Sequence, residues 1–193
     1  LQAASEYWDD LSAAARSFFG REEIRRDAAD ARLSLQVEVR RNAYFISALA
    51  RLTEDGRGRV FLCALPCPAG EEPAQDLRLR RRAAKRALYW LLRAHTGLRM
   101  PWGALTGIRP TALARQLAGP QANLTQAFII LTRTYDVSPD KAALLRDTLE
   151  GQRCVWRADD PARYDVYIGV PFCRTHCAYC SFFSADLQDV RLV

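Results

Sequence analysis

The sequence has no apolar stretch long enough to cross a bilayer, and its longest early run, Leu11 to Phe19, is interrupted by Ser and Arg. A membrane partner is therefore not expected. The N-terminus, LQAASEYWDD, lacks the basic flank and apolar core of a secretory signal. A cytoplasmic protein is the default. Internal repeats and low-complexity tracts are missing, which leaves ordinary globular composition with nearly half its residues apolar. An initiating Met is absent, and the chain stops at Val193 without an end signal, so the sequence is expected to be a fragment of a longer chain. Acidic residues are the scarcer charge: 22 Asp and Glu against 28 Lys and Arg leave a net charge of +6.

That excess could suggest a nucleic-acid partner, but much of it sits on one segment, at Arg78, Arg80, Arg81, Arg82, Lys85, Arg86 and Arg93. The same segment carries Leu77, Ala84, Leu88, Leu91 and His95 at helical spacing on a different arc. A solvated face of an amphipathic helix is the expectation, with a docking surface for an acidic partner or substrate as the alternative. No nucleic acid is expected.

With 193 residues the chain can hold one domain with a proper core and the start of another. Residues Glu6 to Phe19 read as a helix with Tyr7, Leu11, Ala15 and Phe18 on one stripe and Gly20 as its stop. Leu33, Leu35, Val37 and Val39 alternate with polar residues as in a half-buried strand. Arg40-Arg41-Asn42 would turn into a second strand in which Tyr44, Ile46, Ala48 and Leu52 share a face. Glu54 to Arg59 reads as a turn and Val60 to Leu65 as a third strand, completing an antiparallel meander.

Helices are then expected over Gln75 to Thr96, with Gly97 just past the end, and from Pro110 to Ala118. Asn123 with Gln126 resembles a capping box, and Ser138-Pro139 opens a helix reaching to about Cys154. The fold class predicted is thus an α+β N-terminal domain over 1–155 and a polar linker over 156–163. The start of an α/β unit over 164–193 would follow.

That last segment changes character. A β-rich run from Tyr164 to Val170 ends in Pro171-Phe172 and then Cys173, Cys177 and Cys180. The loop would sit at the C-terminal end of a strand, where α/β barrels build active sites. Six cysteines without a secretion signal argue against a disulfide framework. The C-x3-C-x2-C spacing suits iron–sulfur ligation, and a complete cubane normally takes four thiolates. Three leave one iron open, which marks catalysis rather than scaffolding. No fourth cysteine follows Cys180, as an electron-carrying ferredoxin would need. A zinc site with His176 as fourth ligand remains an alternative. Recruitment of Cys63 or Cys67 is another, although Cys63, Cys67 and Cys154 read first as small apolar filler.

The residues from Tyr167-Ile168-Gly169-Val170-Pro171-Phe172-Cys173 through Cys180-Ser181-Phe182 resemble the start of the barrel in the oxygen-independent coproporphyrinogen III oxidase family of radical S-adenosylmethionine (SAM) enzymes. Pro101-Trp102-Gly103 and Thr106-Gly107-Ile108-Arg109-Pro110-Thr111 are similar to the HemZ-type coproporphyrinogen dehydrogenase branch. The resemblance implies a [4Fe-4S] cluster on Cys173, Cys177 and Cys180, with SAM chelating the open iron and Tyr179 lying against its adenine. Tyr167 is similar to a family tyrosine near the cluster and SAM.

An electron donor would reduce the cluster, and the resulting 5′-deoxyadenosyl radical would start oxidative decarboxylation of coproporphyrinogen III to protoporphyrinogen IX in haem biosynthesis. Two positions depart from the best-characterised members, which have a further cysteine at Phe182 and a histidine at Gly169. Phe182 is more like the related haem chaperones, the second functional reading. Because a barrel needs roughly 200 residues or more, the chain alone is expected to be inactive. Arg109 could clamp a propionate carboxylate or simply order its own loop.

Overall fold

The computed structural model describes residues 1–20, 24–26, 31–67, 72–106, 109–119, 123–152, 164, 166–169, 172–173, 175 and 185–186. The expected linker, 156–163, and Cys154 lie outside them. The chain divides into two compact units, Leu1–Gln152 and Arg153–Val193.

In the first unit, a 3-10 turn at Ser5–Tyr7 leads into helix α1 (Trp8–Phe19). Strands β1 (Leu33–Arg41), β2 (Phe45–Glu54) and β3 (Arg57–Pro66) form an antiparallel sheet in the order β1-β2-β3. Helix α2 (Pro73–Thr96) covers one face of this sheet, and α1 packs on α2. Helices α3 (Pro110–Ala118), α4 (Leu124–Arg133) and α5 (Pro139–Gly151) pack on one another.

The alternation of β1 and β2 decides which face is covered. Leu35, Val37, Ile46, Ala48, Ala50, Leu52 and Cys63 are buried with Ala83, Ala84, Ala87, Leu88, Leu91 and Leu92 of α2 in one core. Alanines on both surfaces let backbones approach closely, while each fully buried leucine contributes roughly 1.5–3 kcal/mol. Tyr7, Leu11, Ala15 and Phe18 add the stripe of the first helix. The free edge of β1 is partly covered, because Gln2 donates to Leu35 O at 2.6 Å and accepts from Val37 N at 2.9 Å. Chain punctuation is local: Pro opens α2, α3 and α5, and Gly97 closes α2 in the left-handed conformation that glycine adopts without a side-chain clash.

Three local expectations are corrected. Tyr44 does not join the inner face: it is 74% exposed. Asn42 Oδ1 accepts from the N–H groups of Tyr44 and Phe45, holding 42–44 as a turn before the strand begins. The turn expected over Glu54 to Arg59 is only Asp55-Gly56, both at positive φ, so β3 starts at Arg57. Positive φ at both central residues matches the twist of the flanking strands, and Asp-Gly is the pair that tolerates it. The capping box at α4 is half made. Asn123 Oδ1 accepts from Gln126 N at 3.0 Å, but Asn123 N donates to Ala118 O at 3.1 Å, so the reciprocal side-chain bond is not needed.

The second unit is described at few positions. Strand β4 (Phe172–Cys173) pairs in parallel with β5 (Ala185–Asp186), Phe172 opposite Ala185 and Cys173 opposite Asp186. The run before it exposes Tyr164, Val166, Tyr167 and Ile168. No helix among the described residues is long and apolar enough to cross a membrane.

Candidate functional site

Of the three cysteines expected to hold a cluster, Cys173 is described; Cys177, Cys180, His176 and Tyr179 lie outside the described residues. Cys173 ends the run that begins at Tyr164, occupies β4, is exposed, and is a free thiol. An exposed thiol can lose its proton to water or a metal without first leaving an apolar core, which is what a thiolate ligand requires. Tyr167 is 87% exposed. A Cβ added at Gly169 would lie 3.1 Å from Cε1 of the Tyr167 ring, so a larger residue there would press on that ring's edge. Among the described residues no group of three or more His, Cys, Asp and Glu gathers as a metal site.

Cys63 and Cys67 have the opposite character. Both are buried in the core of the first unit. Burial pushes the Cys63 thiol up, against a smaller opposing pull from Arg86. Neither is suited to supply a thiolate to a shared cluster, and the filler reading fits their surroundings.

The upstream motif has a structural explanation. Pro101-Trp102-Gly103 runs against the turn that follows α4. Ala104 N donates to Tyr135 O at 2.8 Å and Ser138 N to Pro101 O at 3.0 Å. Gly103 has φ +55, and a Cβ there would meet Tyr135 O at 1.9 Å. Only glycine permits that approach. Lys141 stands over the Trp102 ring, 5.8 Å from its centre.

Behind this contact lies a charge network that sequence reasoning missed. Asp136 is buried at positive φ. Its carboxylate accepts from Tyr89 Oη at 2.5 Å and lies 2.6 Å from Arg93 Nη1 and 3.0 Å from Arg99 Nη2. Burial and the neighbouring carboxylate both raise the Tyr89 phenol well above its ordinary value. Trp90 Nε1 donates to Thr134 O at 3.3 Å, and Arg93 covers the Trp90 ring at 4.9 Å. The network fastens the end of α2 to the turn that receives the Pro-Trp-Gly loop. The tolerance of Asp for positive φ was the only hint in the sequence.

Arg109 caps α3 with its backbone, its carbonyl accepting from Leu113 N at 3.1 Å. Its side chain is exposed and makes no bond among the described residues. The loop-ordering role expected of its guanidinium is therefore not seen there, while 107–108 lie outside those residues. The basic helix also differs from a plain solvated face. Asp76 holds Arg80 at 2.6 Å and Arg41 at 2.9 Å, Arg86 donates to Ala64 O at 3.0 Å, and Lys85 is drawn inward.

The chain is similar to HemZ. A curated protein of Bacillus subtilis (strain 168), described as oxygen-independent coproporphyrinogen-III oxidase-like protein HemZ, is 38% identical over 102 residues. The match covers 51% of this chain and 20% of the relative, so the chain spans about a fifth of that protein's length in the match. No protein-family model matches the chain, and no solved structure does. The similarity to HemZ supports the family resemblance drawn from the cysteine loop and the upstream motifs.

Proposed function

We propose that this chain supplies the cluster loop of a radical SAM oxidoreductase that converts coproporphyrinogen III to protoporphyrinogen IX without oxygen. The observation that carries the reading is the spacing Cys173-x3-Cys177-x2-Cys180 directly after an aromatic-rich run of sequence, in a chain similar to HemZ. The exposed, free thiol of Cys173 is the described part of that donor set. In this reading the segment 164–193 is the start of an α/β barrel, preceded by the α+β unit.

Three thiolates in eight residues would hold three irons of a [4Fe-4S] cluster and leave the fourth to SAM. When bound, the cluster and SAM supply the one-electron chemistry that generates a carbon radical. The chain's own residues do the holding and the orienting. Cys173, Cys177 and Cys180 would hold the cluster, Tyr179 would lie against the adenine, and Tyr167 would border the same space. An external electron donor and a porphyrinogen substrate are the partners this implies, in the cytoplasm.

Phe182 favours one second reading, a haem-binding chaperone that keeps the cluster loop but does not decarboxylate. The test is anaerobic reconstitution with iron and sulfide, followed by electron paramagnetic resonance of the reduced sample with and without SAM. A cluster signal whose shape changes with SAM supports the open-iron reading. Zinc in place of iron in a folded sample overturns it. Stoichiometric haem binding by a full-length protein carrying this segment, with no conversion of coproporphyrinogen III, would assign the chaperone instead.

A further inference from the structure

The first unit carries a cleft that the cluster reading does not use. Arg78, Arg81, Arg82 and Lys85 stand on one face of α2 at spacings of i, i+3, i+4 and i+7, and all four line a cleft of about 300 Å³. Ala104, Leu105, Thr106 and Tyr135 also line it. Asp10 of α1 is the only acid among the described lining residues, so four cations face one carboxylate.

Asp10 is already engaged. Its Oδ2 lies 3.6 Å from Arg81 Nε and its Oδ1 3.3 Å from Lys85 Nζ. Lys85, whose side chain is only 11% exposed, also donates to Thr106 O at 2.9 Å. Arg78 and Arg82 have no acidic partner among the described residues. Like charges three and four apart on a helix repel, so this face destabilises α2 unless something compensates it. A second observation points the same way. Thr106, one of the residues lining the cleft, has its Oγ1 buried without a hydrogen-bond partner among the described residues. A buried hydroxyl left unpaired costs its full desolvation.

We infer that this cleft binds a compact oxyanion carrying more than one negative charge. The two free guanidiniums would each take an oxyanion in their planar forks, Lys85 would add a point charge, and Thr106 Oγ1 a hydroxyl donor. The volume is at the small end for ligand sites, which suits a di- or tricarboxylate or a phosphate rather than a polymer. The inference stands apart from the radical reading, because it uses residues of the first unit alone.

The test is calorimetric titration of the chain at low ionic strength with citrate and, separately, with inorganic phosphate. The arm that saturates names the class. Arg78→Gln with Arg82→Gln should weaken that anion by roughly tenfold or more, the usual size of a lost charge-assisted contact. Arg51→Gln, an exposed arginine on β2, should leave it unchanged. Thr106→Val should also weaken binding while leaving thermal stability equal or higher, since the variant removes an unpaired buried hydroxyl. No saturable binding of either anion overturns the inference. So does equal weakening by Arg51→Gln, or binding of a long single-stranded RNA alone.

Discussion

Cys63 and Cys173 carry the same side chain in opposite surroundings. Cys63 is 2% exposed under α2, its thiol pushed up by burial, and it fills space between a sheet and a helix. Cys173 ends a run of exposed Tyr, Val and Ile residues, and its thiol is open to solvent. The contrast extends to the regions that hold them. Residues of the first unit are tied by a core, by caps and by the Asp136 network, whereas the described residues before Cys173 are mostly exposed apolar side chains. Stability and proposed chemistry are thus carried by different segments, and variants in one should leave the other's observable unchanged.

The largest effect is expected at Gly103. Replacing it with Ala places a methyl against the Tyr135 carbonyl, and the backbone must move. A loss on the order of 4 kcal/mol or more is expected by denaturant unfolding, at the exceptional end for single substitutions. Asp136→Ala comes next at about 3–5 kcal/mol, because it strands Arg93, Arg99 and the Tyr89 hydroxyl together. Asp136→Asn keeps the shape and removes the charge, and about 1.5–3 kcal/mol is expected. If Asp136→Ala were as mild as a surface change, the network would not be what fastens the turn to α2.

Much of this frame was legible from local chemistry. The alternation of Leu35 and Val37, the prolines at 110 and 139, and Gly97 after α2 each act within a few residues, so spacing alone reveals them. The Asp136 network was not legible, because Tyr89, Arg93, Arg99 and Asp136 meet only after α2 and α4 are packed. The start of β3 was missed for a different reason: two glycines near Asp55 suggested a loose turn, whereas the Asp-Gly pair alone closes it. For the candidate site, cysteine spacing is the basis of the proposed ligand set, and the resemblance is the basis of the roles proposed for Tyr167 and Tyr179. The inward pull on Lys85 was hidden because Asp10 and Thr106 approach it from distant parts of the chain.

Smaller effects sharpen the contrast between the cysteines. Cys63→Ala should cost roughly 1 kcal/mol for the small cavity left in the core and leave iron uptake unchanged. A fall in bound iron with that variant would contradict the filler role. The pH dependence is gentler still. Burial, with help from Glu6, pushes the Tyr7 phenol up to about 12, and Tyr89 is raised further. The folded chain therefore holds these protons more tightly than the unfolded chain. The stability they contribute is complete below about pH 10, the unfolded tyrosine value, and is lost as pH climbs through the folded values. Thermal scans between neutral pH and pH 11 should show this decline, and Tyr89→Phe should flatten it.

Iron bound per chain after anaerobic reconstitution, compared between the unaltered chain, Cys177→Ala, and Cys63→Ala with Cys67→Ala, tests the central assignment most directly. The expected result is about four irons in the unaltered chain and in the Cys63/Cys67 variant. Little or no iron is expected in Cys177→Ala, with its unfolding transition unchanged. Full iron loading in Cys177→Ala, or its loss in the Cys63/Cys67 variant while that variant remains folded, would contradict the assignment of the cluster to Cys173, Cys177 and Cys180.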